Sequence, residues 1–176
     1  MRMTEKLFWT CLLALACVLP SEVLARDLSK YPCSVFSHVV CFRLPTGVEV
    51  KYSVPADFDI YYFFKGSQTF ASIYIGRAPQ PAASEPVRVV KTREGSLSIH
   101  RQLRDGIELM EFYIVPSARR ADTIHISASA APATLLELVE LLSSVRPCKS
   151  LRAGGQRCVK TDVWSSELVG SLDVIP

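Results

Sequence analysis

Charge of one sign is scarce in this chain: 20 lysines and arginines stand against 17 acids over 176 residues, a formal balance of +3. So small an excess supplies no bulk attraction to nucleic acid, and no base-stacking motif accompanies it, so nucleic acid is not expected as a partner. Histidine is scarcer still, at three. His38, His100 and His125 form no HExxH pair, no Gly-x-Ser-x-Gly elbow exists, and no glycine-rich phosphate loop follows a strand. These absences remove the common metallohydrolase, serine-hydrolase and nucleotide-binding readings. No metal or cofactor is expected, and a conventional enzyme is disfavoured. His100 and His125 alternate within strand-like runs, where an exposed or hydrogen-bonded imidazole is the simplest role. Asp57 and Asp59, two apart at a strand start, can face one way for acid–base work or a hard cation, although turn chemistry explains them as well. Glu108 and Glu111 give no stronger signal.

Long apolar runs are missing but for one, Leu7 to Leu19, too short to span a bilayer comfortably. Arg2 and Lys6 precede it and Val23-Leu24-Ala25 follows, so residues 1–25 read as a signal peptide cut after Ala25. The leader holds as many acids (Glu5, Glu22) as bases, so the mature charge is unchanged. A periplasmic or secreted product is expected. Leu13-Ala14-Leu15-Ala16-Cys17 also loosely fits a lipoprotein cleavage pattern, so a lipid anchor at Cys17 is the alternative and the only expected membrane contact.

Of six cysteines, Cys11 and Cys17 fall in the leader, leaving Cys33, Cys41, Cys148 and Cys158. An even number in an exported chain reads as disulfides, with three connectivities open. Local pairing, Cys33–Cys41 and Cys148–Cys158, is favoured because Gly154-Gly155 gives the second loop a turn. The alternative ties the N-terminal segment to the C-terminal one and constrains the unfolded chain more. A zinc site is the rival, but neither pair has the short Cys-x(2–4)-Cys spacing.

Along residues 26–46 only Val39, Val40 and Phe42 suggest a strand. Alternation then marks Val48–Val54, where Val48, Val50, Tyr52 and Val54 share a face, and Phe58–Phe64, where Phe58, Ile60, Tyr62 and Phe64 do. A Lys65-Gly66-Ser67 turn leads to Thr69–Ile75. Pro79, Pro81 and Pro86 make residues 78–86 an exposed connection. Val87–Val90, Leu97–Leu103, Ile107–Val115 and Thr123–Ser129 read as further strands, with turns at Glu94-Gly95 and Asp105-Gly106. One helix is predicted over Pro132–Val145, its apolar stripe Leu135, Leu136, Val139, Leu142 and Val145, with Glu137 and Glu140 opposite. Pro147 stops it. The tail is polar, with Trp164 and Leu168 as docking points. The expected fold is α+β: six or seven antiparallel strands with one long C-terminal helix packed on them. Residues 26–46 form a cysteine-bearing lead-in, 47–147 the core, and 148–176 a disulfide loop and tail.

Charge is clustered even though it is balanced. From Arg146 to Lys160 stand five bases (Arg146, Lys149, Arg152, Arg157, Lys160) and no acid. A disulfide would present Arg152, Gly154 and Arg157 on a pre-organised loop suited to an acidic protein surface. A second basic cluster runs from Arg88 to Arg104, with Lys91, Arg93, His100 and Arg101. The proline-rich connection, with Gly76, Arg77, Pro79 and Gln80 at its start, is the other candidate contact surface.

The segments Asp57-Phe58-Asp59-Ile60-Tyr61-Tyr62-Phe63 and Ala71-Ser72-Ile73-Tyr74-Ile75-Gly76-Arg77-Ala78-Pro79-Gln80 resemble those of small exported bacterial proteins with a PsbP-like sandwich fold. The resemblance spans roughly residues 47–147 and is structural in character. It implies a non-enzymatic envelope binding protein, such as the immunity proteins that neutralise type VI secretion toxins, and it carries no catalytic residues. A secreted hydrolase with a dispersed site and an envelope assembly factor docking through Trp164 are the alternatives.

Overall fold

The computed structural model describes residues 33–117, 122–151, 156–158 and 164–172. The expected leader with Ala25 and Cys17, and Arg152, Gly154 and Lys160 of the basic stretch, lie outside the described residues. Among the described residues no helix is long and apolar enough to cross a membrane.

Alternation dictates the main sheet. The seven strands expected from it are β3 (Glu49–Ser53), β4 (Asp59–Lys65), β5 (Gln68–Gly76), β6 (Pro86–Thr92), β7 (Gly95–Arg104), β8 (Ile107–Pro116) and β9 (Thr123–Ser129). They form one antiparallel sheet in the order β3-β4-β5-β9-β8-β7-β6. Two meanders therefore meet at the β5–β9 pair, and the chain must cross the sheet between β5 and the edge strand β6. Asp105 and Gly106 both take left-handed backbone (φ 53° and 75°), the two-residue turn whose twist suits a hairpin.

Register decides which residues become core. Tyr61, Ile73, Ile126, Phe112 and Ile99 lie in one cross-strand row, and Ile75, Ile124, Ile114 and Leu97 in the next, all buried on the same face. β4 is apolar on both sides, and pairing with β5 sends Tyr61 and Phe63 inward; Ile60, Tyr62 and Phe64 take the opposite face. At the sheet edge, Val48 is buried while Tyr52 and Val54 are exposed, because the core ends before the end of β3.

The helical region departs from the expected single long helix. A 3-10 turn (Pro132–Thr134) leads into α1 (Leu135–Ser144), and a short second helix, α2, covers Ser165–Gly170. The buried stripe of α1 is Leu138, Leu141 and Leu142, continued by Val145, one helical step from the expected stripe; Leu136 is 78% exposed. Lys65 bonds Glu137 Oε1 at 2.6 Å and the Ala133 carbonyl at 3.0 Å, tying the β4–β5 turn to the start of α1. Trp164 and Leu168 are buried in the core cluster, so the tail docks on its own domain rather than presenting these side chains outward.

Two segments on either side of the main sheet in sequence join in a second sheet, of which only the strand around Val40 and Phe42 was expected. β1 (Val35–Phe36), β2 (Val40–Phe42), β10 (Arg146–Ser150) and β11 (Gln156–Cys158) line up in the order β1-β2-β10-β11. Phe42 meets Tyr61 and Phe63 edge-on, at 5.3 Å each, and joins this layer to the core face of the main sheet. The disulfides are local, Cys33–Cys41 and Cys148–Cys158. The fold is thus α+β, mostly antiparallel sheet with few helices.

Candidate functional site

The outer face of the main sheet carries polar side chains where the core face carries Ile and Phe. Tyr74, His125, Tyr113 and Ser98 form one cross-strand row; Ser72, Ser127, Glu111 and His100 form the next. Over them runs the proline-rich connection, a strap from Arg77 to Glu85. It is fastened at three heights. The Tyr113 hydroxyl donates to the Gln80 carbonyl at 2.7 Å, the Ala83 amide to Glu111 Oε2 at 3.3 Å, and His100 Nδ1 to the Ser84 carbonyl at 2.7 Å. Ser84 returns a bond from its hydroxyl to the Arg101 carbonyl. Prolines remove backbone donors from such a segment, so these side chains supply anchoring that a β-ladder would otherwise give.

Beneath the strap, Tyr113 stacks flat on His125, ring centres 4.1 Å apart, and meets His100 edge-on at 5.3 Å. His125 Nε2 lies 3.2 Å from Glu111 Oε1, at ion-pairing distance but outside hydrogen-bond alignment. Burial outweighs this carboxylate and holds the His125 pKa below its ordinary 6.5, so the imidazole is neutral near neutral pH. Burial, then the Glu111 charge, pushes the Tyr113 hydroxyl up to about 12, which keeps it a donor. Ser98 Oγ and His100 Nε2 are 3.2 Å apart, but the other ring nitrogen of His100 is committed to the strap. The adjoining cavity, between Ser84, His100, Leu109 and Glu111, has a volume of about 120 Å³. Small-molecule sites run to about 300–1,000 Å³, so this cavity is well below that size.

Where the strap begins, a second set of polar contacts joins distant parts of the chain. Arg77 Nε lies 3.7 Å from Asp122 Oδ1, and His38 Nε2 bonds Asp122 Oδ2 at 2.8 Å. His38 Nδ1 lies 3.4 Å from Asp59, which also accepts the Tyr52 hydroxyl at 2.8 Å. One residue away, the Ser37 carbonyl accepts the side-chain amide of Gln156 in the disulfide hairpin. Lys149 and Arg157 are cross-strand partners there, both exposed, and Lys149 reaches Glu94 of the β6–β7 turn at 3.8 Å. Strap start, β1–β2 turn and disulfide hairpin therefore lie at one end of the molecule.

The sequence-predicted residues are distributed accordingly. Arg77 and Gln80 are exposed on the strap and Pro79 is half-buried. Gly76 is buried: a Cβ there would come within 2.7 Å of Phe58 Cβ and 2.8 Å of Tyr74 Cζ, so its role is to let the Tyr74 ring lie across β5. Asp57 and Asp59 do not act as a pair, since Asp59 is committed to Tyr52 and His38. The second basic cluster does not form one surface: Arg88 bonds Glu167 at 2.8 Å, Arg101 meets Glu108 at 3.4 Å, and His100 faces the strap. Arg146 is buried, bonding the Ser143 and Val145 carbonyls at the end of α1, so it drops out of the basic surface. Tyr113, Ser84 and Asp122 went unforeseen, and Glu111 was weighed without a partner; outward phase on β8 was a signal for Glu111 and Tyr113, whereas Ser84 and Asp122 lie in connections that carry no periodicity. No family model matches the chain, and comparison with curated proteins and solved structures gave no match.

Proposed function

We propose that the protein is a non-enzymatic binding module of the bacterial envelope, PsbP-like in architecture, which neutralises a periplasmic toxin by steric occlusion. Its contact surface is the start of the strap together with the basic disulfide hairpin, facing an acidic protein surface. One observation carries the reading: the chain Arg77–Asp122–His38, continued through Ser37 to Gln156, draws two segments far apart in sequence to one end of the fold. Both are pre-organised, one by proline and side-chain anchors, the other by Cys148–Cys158, so little entropy is lost on binding. Arg152→Glu with Arg157→Glu is expected to abolish capture of the partner by the immobilised protein from envelope extract. Capture equal to the parent chain would remove the hairpin from the surface.

The gathering of His125, Glu111, Tyr113, Ser98 and His100 favours a second reading, a secreted hydrolase. Against it stand the small cavity and the strap bonds that engage Glu111, Tyr113 and His100. If a hydrolase, the protein would turn over ester or amide substrates, and Ser98→Ala would abolish turnover; as a binding module, Ser98→Ala leaves capture intact.

A further inference from the structure

Cysteine spacing speaks against zinc only when all ligands of a site come from neighbouring loops. Here strand pairing supplies what spacing does not. β2 runs beside β10, with Cys41 opposite Arg146 and Val40 opposite Pro147, and the Cys148 amide donates to the Val39 carbonyl at 2.6 Å. Cys148 in turn faces Cys158 across β10–β11. The two bridges therefore lie against each other. The sulfurs of Cys41, Cys148 and Cys158 are all within 4.8 Å of one another, and Cys33 is bonded to Cys41. All four cysteines are buried and form a cluster of their own, with Phe36 packed against it.

Zinc binds four thiolates at about 2.3 Å in a tetrahedron, whose sulfurs then sit about 3.8 Å apart. Three of the four sulfurs, on β2, β10 and β11 of one sheet, already lie within 4.8 Å of one another, and parting the Cys148–Cys158 bond lets that pair open toward the tetrahedral spacing. Arg146, buried in β10 and paired with Cys41, puts a positive charge beside strands that would carry a doubly negative centre. We propose that, when both bridges are reduced, Cys33, Cys41, Cys148 and Cys158 hold one zinc ion as a tetrathiolate site. A dithiol is the reductant. Each bridge takes up two electrons and two protons while one dithiol closes to its cyclic disulfide, and the four thiols release their protons as zinc binds. The small sheet then has two stapled states, disulfide and zinc, and the binding surface built on β10–β11 survives loss of the bridges. This rests on the sulfur geometry and not on the binding function above.

The test is to reduce the purified protein with dithiothreitol, remove the reductant without oxygen, and titrate with cobalt(II), then zinc. The expected result is one equivalent of cobalt per chain with the visible bands and charge transfer of tetrahedral thiolate coordination. Zinc should displace it, the strand-rich circular dichroism of the oxidised protein should persist, and the oxidised protein should bind none. Cys33→Ser, and separately Cys148→Ser, should give a three-thiolate spectrum and affinity lower by at least about tenfold. Absence of tetrahedral bands, metal uptake by a chain without strand structure, or equal uptake by the oxidised protein would overturn the proposal.

Discussion

His125 is a neutral imidazole buried against the Tyr113 ring, and that sets a pH dependence. Its pKa is held below 6.5 by burial, so the unfolded chain binds the proton more readily. Stability from this site is present above about 6.5 and is lost as pH falls below it. Thermal unfolding should show a drop from neutral to mildly acidic pH that flattens in His125→Gln; an unchanged slope would separate His125 from the effect. Gly76 belongs to the same scale. Gly76→Ala forces Phe58 and Tyr74 aside and should cost about 1–3 kcal/mol in denaturant unfolding. The sequence pattern marked Gly76 as a surface residue because it opens the proline-constrained connection that runs to Pro86. Only the position of Tyr74, two residues earlier on the same face, reveals a close approach.

The strap is an element fixed by side chains rather than by a ladder. Tyr113→Phe removes the bond to the Gln80 carbonyl and should weaken the strap by about 1 kcal/mol. Hydrogen exchange at residues 80–84 should accelerate while the amides of β8 and β9 keep their protection; uniform acceleration would mean that the strap is not a separate unit. Legibility follows the same division. The seven strands of the main sheet could be read because Val, Ile and Phe alternate there with polar residues and Asp105-Gly106 punctuates them. The phase of α1 could not: Leu135, Leu136, Leu138, Leu141 and Leu142 surround enough of the helix that two stripes fit, and packing chose the one through Leu138 and Leu141 rather than Leu135 and Val139. β10 was hidden by Pro147, which ends α1 as expected and yet sits in a strand.

At the scale of the whole molecule, the segments before and after the main sheet and α1 form one small sheet stapled twice beside the core. Replacing Cys148 and Cys158 with Ser frees a loop that constrains the unfolded chain, at a cost of about 2–4 kcal/mol in chemical denaturation. Neither the second sheet nor the convergence of strap and hairpin was legible, since both depend on β2–β10 pairing between residues over a hundred positions apart. The direct test of a single contact surface is the affinity of the captured partner for Arg77→Glu, Arg157→Glu, their combination, and Arg104→Glu at the end of β7 as control. One surface predicts weakening by each of the first two, a further loss in combination that deepens at low salt, and no change for Arg104→Glu. Equal affinity across all four chains would contradict it.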